Sequence, residues 1–383
     1  LRNPEARALY IYPTKALAQD QLSVIREYLN GVDGISQGVA PYFPILPAVY
    51  DGDTPVSARP VIRRESRLVI SNPDMLHTGI LPHHTSWADF FRNLRFIVID
   101  EIHTYRGVFG SHVANVLRRL KRIARFYGSA PCFILTSATI ANPDQLAGWL
   151  IEEAVTLLDE DGSARGAKYF LIYNPPVVDR ELGLRRSSLQ ESIRLAEDLL
   201  TYQIQTIIFG VTRRSVEVML RYLQERTGEP HKGEAPIRGY RSGYLPHHRR
   251  EIERGLRSGD VRAVVATTAL ELGIDIGGMD AAILAGYPGT IAATWQQAGR
   301  AGRKNEASLS VLVASANPLD QFLAHHPEYF FERNPEQGLI NPNNLLILLH
   351  HLRCAAFELP FRDAEGFGNV PAEQLIGFLE FLR

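Results

Sequence analysis

Ile97-Val98-Ile99-Asp100-Glu101-Ile102-His103 is the stretch that decides how the chain reads. An apolar β-branched run ends abruptly in two adjacent carboxylates and then a histidine, which predicts a buried strand with acidic groups at its carboxyl end. Ligands of open α/β sheets sit at that end of the strands, so chemistry is first sought there. Nucleotide hydrolysis needs a carboxylate to hold Mg²⁺, usually through water, and a group to orient the attacking water. Asp100 suits the first task, Glu101 the second as a general base, and His103 is placed to link such a site to a second domain. An isolated Asp-Glu pair is more often a solvated acidic turn, so the rest of the chain has to decide.

Working outward, short β-rich runs alternate with helical patterns, which predicts parallel sheets covered by helices. Strands are expected at 8–12, 67–71, 96–100 and 132–137, and helices at 16–29, 112–127 and 144–150. After a polar, glycine-rich passage and Asn174-Pro175-Pro176, a second block predicts strands at 206–209, 261–267, 281–285 and 309–313. Its helices are expected at 189–202, 213–225, 247–257 and 294–301. Beyond Asn317-Pro318 only helices are expected, at 319–331 and 342–357. The class is α/β: a first domain over 1–165, a link over 166–187, a second domain over 188–318, and a partial helical element over 319–383, read as the winged-helix-like start of a C-terminal region.

Five further motifs carry polar chemistry at strand or helix ends. In Gln296-Gln297-Ala298-Gly299-Arg300-Ala301-Gly302-Arg303 two arginines three apart can reach one anion. Such guanidinium groups stabilise the charge on a transferring phosphoryl group, and the glycines permit close approach. Thr267 and Thr268 end a strand and open a turn that runs out through Gly273 to Asp275, an arrangement that offers hydroxyls and N–H groups to phosphate. Pro13-Thr14-Lys15-Ala16-Leu17 repeats the design in the first block, although a lone Thr or Lys there is as readily a cap. Ser137-Ala138-Thr139 can bond the Asp-Glu strand end and transmit its state, and Ser71-Asn72-Pro73-Asp74 reads alone as an ordinary N-cap.

In this order the pieces resemble the superfamily 2 helicases, over nearly the whole chain. Pro13–Leu17 matches that family's motif Ia and 71–74 its motif Ib. Asp100–His103 is the Asp-Glu-x-His box of motif II, and 137–139 is motif III. Residues 207–209 match motif IV, 267–275 motif V and 296–303 motif VI. The resemblance implies two tandem RecA-like domains with ATP and Mg²⁺ in the cleft between them, and nucleic acid lying across both. It makes Arg300 and Arg303 γ-phosphate sensors, with Gln297 beside them, places Gly273 and Asp275 on the nucleotide side, and makes Thr14, Lys15, Asn72, Pro73, Thr267 and Thr268 backbone contacts. Residues 50–54, 100–110, 320–331 and 339–360 are similar to the YprA-like bacterial DNA-repair helicases, relatives of the eukaryotic RecQ-four-like group. The implied partner is single-stranded or tailed DNA. One departure stands out: no G-x-x-x-x-G-K-[ST] phosphate loop occurs in the 383 residues. Motif Ia already stands at residue 13 and the chain opens on Leu1, so a cut through a larger protein is expected, with little ATP turnover by this piece alone.

Composition is compatible and adds limits. There are 41 Lys and Arg against 42 Asp and Glu, a net charge of −1, so a nucleic-acid site must be local rather than a global basic field. Cys132 and Cys354 make neither a zinc site nor a disulfide framework, which suits a reducing, cytoplasmic setting. No membrane-spanning run or signal peptide is found. Arg118, Arg119, Lys121, Arg122 and Arg125 read as the solvated face of a helix whose apolar side is Val113, Val116, Leu117, Leu120 and Ile123. His247-His248 and His350-His351 lack helical ligand spacing, and Tyr287 and Trp295 read as core before base-stacking residues. An RNA helicase, or a non-hydrolysing nucleic-acid-binding module, is the alternative.

Overall fold

Runs of β-branched residues pair in parallel in both halves of the molecule. The computed structural model describes all residues except 1, 2, 4, 36–44, 161, 163–165, 228–235, 242, 272–275 and 303–305. It divides into two compact units, Leu1–Leu158 with Gln337–Arg383, and Asp159–Glu336.

The first unit is built on strands β1 (Arg7–Ile11), β2 (Pro47–Val49), β3 (Leu68–Ser71), β4 (Leu94–Ile99) and β5 (Cys132–Leu135), all parallel in the order β2-β3-β1-β4-β5. Ile11 pairs with Ser71 on one side and Ile99 on the other. The residues after these three strands, Pro13 to Lys15, Asn72 and Asp100 to Glu101, therefore leave the sheet along one edge. Leu9, Ile11, Val69, Ile97 and Ile99 pack with Leu117 and Leu120 of the helix Gly107–Phe126 and with Leu146 and Leu150 of Pro143–Ile151. The expected strands hold here to within a few residues and the expected helices are found, two of them longer by five or six residues at one end. β2, at three residues too short to show a pattern, and the short helical segments between Arg59–Glu65 and Ala88–Arg92 were not expected.

One expectation is corrected. Only Arg125 of the basic side of Gly107–Phe126 is exposed as expected: Arg118 is 5% and Arg119 0% exposed, and Lys121 and Arg122 are half-buried. Arg118 forks onto Glu152 and also reaches Asn343. Arg119 forks onto Glu358. Arg122 donates to Glu365 and to the carbonyls of Ala355, Leu359 and Pro360. Most of these partners lie well over 200 residues away in sequence, on the segment that docks against this helix.

The second unit carries β6 (Lys168–Tyr173), the antiparallel pair β7 (Val177–Asp179) and β8 (Leu184–Arg185), then β9 (Thr206–Gly210), β10 (Ile237–Tyr240), β11 (Ala263–Ala266), β12 (Ala281–Ala285) and β13 (Ser308–Val313). Its main sheet is parallel in the order β10-β11-β9-β12-β13-β6. β6 and the β7–β8 pair occupy the stretch expected as a link over 166–187, and β6 pairs with β13 along its whole length. The helical tail is shared between the units. Pro318–His325 and Pro327–Phe331 stay with the second, where Leu323 and Phe330 pack around Phe170, Tyr287 and Trp295. Leu345–Glu358 and Ala372–Leu382 belong to the first.

Candidate functional site

In the first unit the Asp-Glu pair is built by the ends of three neighbouring strands. The Asp100 N–H donates to the Ile11 carbonyl at 3.0 Å, and the Thr136 N–H to the Ile99 carbonyl at 3.0 Å. Asp100 Oδ1 accepts from the Glu101 N–H at 2.8 Å and from the Thr136 hydroxyl, so one carboxylate oxygen is anchored by two donors. Glu101 adopts the left-handed conformation, φ 55° and ψ 45°, unusual for a residue with a Cβ and a mark of local strain. It turns the chain sharply enough for the Ile102 N–H to reach the Thr136 carbonyl at 3.0 Å.

His103 is 8% exposed. Its Nδ1 accepts the Ala138 N–H at 3.2 Å, so that nitrogen carries no proton and the ring is neutral. Burial, then the charge of Arg106, pushes it down to about 4. The approach of the Glu101 carboxylate to the same nitrogen, at 3.3 Å, is therefore not an ion pair at neutral pH. The expected link from residues 137–139 to the carboxylate pair runs through the Ala138 backbone and the Thr136 hydroxyl, while Ser137 is exposed and Thr139 half-buried. Tyr12, pushed upward by burial and by Asp100, lies on the same edge.

The residues expected to meet a nucleic-acid backbone emerge beside this pair. Thr14 Oγ1 accepts the Leu17 N–H at 3.3 Å and caps the helix Lys15–Ile35. The exposed Lys15 ammonium lies 2.7 Å from the Asp53 carboxylate, both side chains reaching solvent. Asn72 is buried and its Oδ1 accepts the Met75 N–H at 2.8 Å, so this side chain caps a turn, with Pro73 buried behind it.

In the second unit Thr267 follows β11 and its hydroxyl accepts the Ala269 N–H at 3.4 Å, while Thr268 is exposed. Gln297, 4% exposed, donates to Glu271 Oε2 at 3.0 Å. Arg300 donates to the Glu271 carbonyl at 2.8 Å. Glu271 thus ties the two motifs of this unit together, a role that nothing local in its sequence signals. Arg300 lies beyond the helix Ile291–Ala298. The glycines near it answer to their own unit: Gly302 has φ +116° and sits against Ser308 and Lys168. Trp295 packs in the aromatic cluster with Phe170 and Phe330. Gly273, Asp275 and Arg303 lie outside the described residues.

Residues 1–146 match the DEAD/DEAH box helicase family and residues 191–305 the helicase conserved C-terminal domain. The chain is 53% identical over 376 residues to the uncharacterised ATP-dependent helicase YprA of Bacillus subtilis, covering 98% of this chain and 49% of that protein. It is 41% identical to the ATP-dependent helicase HRQ1 of Saccharomyces cerevisiae, covering 96% of this chain and 34% of HRQ1. Among solved structures it superimposes on the DUF1998 helicase MrfA bound to DNA and AMPPNP with a TM-score of 0.91 and 51% identity, over 99% of this chain and 52% of that one. The chain spans about half the length of YprA and of MrfA or less of the curated relatives it matches.

Proposed function

The chain belongs to the superfamily 2 helicases, built on two RecA-like units, and from that premise we propose that it is the motor of a cytoplasmic ATP-dependent DNA helicase or translocase working in DNA repair. The observation that carries the reading is the anchored carboxylate pair at the shared carboxyl edge of β1, β4 and β5. Asp100 is a hard oxygen donor held in place by two hydrogen bonds, which suits Mg²⁺ held through water. When bound, Mg²⁺ supplies charge neutralisation at the phosphates. Glu101 accepts the proton of the attacking water. Neutral His103, bonded to the Ala138 N–H, passes the state of the pair to the end of β5. Arg300, with Gln297 holding the same turn through Glu271, supplies positive charge to the transferring phosphoryl group. The roles expected for Gly273, Asp275 and Arg303 are kept as part of the same proposal.

DNA is preferred to RNA as the track because MrfA, half identical to this chain, was solved bound to DNA. Thr14, Lys15, Asn72, Pro73, Thr267 and Thr268 would grip its backbone, with Lys15 the cation among them and single-stranded or tailed DNA the ligand. Ser137 and Thr139 serve the coupling between the two activities. The 383 residues hold no G-x-x-x-x-G-K-[ST] loop, the element that cradles the β- and γ-phosphates in nucleotide hydrolases of this kind. These 383 residues alone are accordingly expected to bind single-stranded DNA with little or no ATP turnover. The test is phosphate release by the full-length protein and by the 383 residues alone, each with and without single-stranded DNA. DNA-stimulated turnover by the full-length protein only supports the reading, and robust turnover by the 383 residues alone overturns the phosphate-site assignment.

A further inference from the structure

A cavity of about 720 Å³ lies in the first unit, between the last turns of the helix Gly107–Phe126 and the loop 359–368. Its volume falls within the roughly 300–1,000 Å³ of pockets that enclose a small ligand. The walls are guanidinium groups and aromatic rings. Arg122 is spent on the loop itself: it pairs with Glu365, and its guanidinium lies over the Phe361 ring at 3.9 Å from the centroid. Arg125 and Arg362 also line the cavity and are exposed, and their guanidinium groups have no hydrogen-bond or ion-pair partner among the described residues. Between them and the solvent stands Phe126, 52% exposed. Of the two acids in the wall, Glu365 is taken by Arg122 and only Asp363 is left open, so the free charge of the cavity is positive. The loop also holds Ala364 at φ 61°, backbone strain of the kind that gathers at ligand clamps.

This cavity is not part of the Asp-Glu edge. The helix starts just beyond His103 and ends just before β5, which runs parallel to β4, so its last turn lies at the opposite, amino edge of the sheet. Twenty residues of helix set the two edges about 30 Å apart. Unpaired guanidinium groups attract phosphate, and an exposed ring beside them offers a base a face to stack on. A purely acidic peptide would use the cations and leave the ring idle. We propose that the cavity is a second binding site for single-stranded DNA, apart from the backbone contacts at the carboxyl edge, in which Arg125 and Arg362 take phosphates and Phe126 a base. Only a strand that spans both edges, roughly ten nucleotides at about 3.4 Å each, engages the two sites together. The choice of DNA as the ligand rests on the functional reading given above.

Arg125→Gln with Arg362→Gln in the full-length protein tests it, against oligodeoxythymidines of about 10 and about 40 nucleotides. Both side chains are exposed, so the double variant should melt with wild type. Affinity for the long strand should fall about ten-fold, and its salt slope should flatten by roughly 1.4, the worth of two phosphates on a single strand. Affinity for the short strand, and the ATP turnover that it stimulates, should stay at the wild-type level. A long strand carrying 5-iodouracil should crosslink to Phe126 in wild type; if the double variant melts lower, this crosslink alone decides. An unchanged slope for the long strand, an equal loss for both lengths, or no crosslink in the cavity overturns the proposal. So does a polyglutamate peptide that binds wild type and not the variant while the long strand binds both, which would make the cavity a seat for an acidic protein. Wild type that binds neither strand sinks the DNA reading and the proposal together, whereas wild type that holds the long strand no better than the short one sinks the proposal alone.

Discussion

Arg119→Met should unlatch the C-terminal segment from the first unit. The guanidinium is 0% exposed and its Nε donates to Glu358 Oε2 at 2.9 Å, with a second, closer bond to Oε1. It also donates to His77 Nδ1 at 2.6 Å, to the His77 carbonyl at 3.3 Å and to His351 Nδ1 at 3.3 Å. Removing it leaves the Glu358 carboxylate buried without its counter-charge, a loss of about 3–5 kcal/mol. For a unit of this size each kcal/mol moves the melting temperature by roughly 2–4 °C, so a fall of about 10 °C is expected. Desolvation makes the pair itself of little net worth, so Arg119→Met with Glu358→Met should lose less than Arg119→Met alone. Urea unfolding of wild type, both single variants and the double variant measures the coupling. A loss under about 1 kcal/mol for Arg119→Met, or a double variant as costly as the sum of the singles, would refute the latch.

Two further outcomes follow from the geometry. His351 is held down to about 3 by burial and by the Arg119 charge, and His77 is lowered for the same reasons. A depressed histidine favours the neutral folded form, so its contribution is complete above about pH 6.5 and is lost as pH falls from there towards 3. Urea stability measured from pH 7.5 to 4.5 should decline accordingly, and His351→Gln should flatten part of that decline; a parallel curve would show that His351 is not responsible. Lys15→Ala should weaken single-stranded DNA binding evenly across sequences and reduce the salt slope by about one counterion. An unchanged slope would remove Lys15 from the backbone contacts.

Much of this was legible because its physics is local. Apolar β-branched runs such as 97–99 and 207–208 form buried parallel strands, and the polar residues that end them fall on one sheet edge. Asp100, Glu101, Thr14 and Asn72 stand on that edge for that reason. What escaped depends on distance in sequence. Arg118, Arg119 and Arg122 read as a solvated face because Asn343, Glu358 and Glu365, which bury them, arrive more than 200 residues later. β6 read as part of a link because an edge strand has a partner on one side only and shows a weaker pattern. Thr136 lies outside every motif and Glu271 is a silent position within 267–275; each matters through the neighbour that the fold brings to it.

The account stands most directly on Glu101. In the full-length protein, Glu101→Gln keeps the shape of the side chain but cannot take a proton. The decisive measurement is phosphate release with saturating single-stranded DNA, beside nucleotide binding, for wild type and this variant. The account predicts unchanged nucleotide binding and turnover reduced by at least about 100-fold. Turnover at the wild-type rate would show that the carboxylate pair at the end of β4 is not the hydrolytic centre.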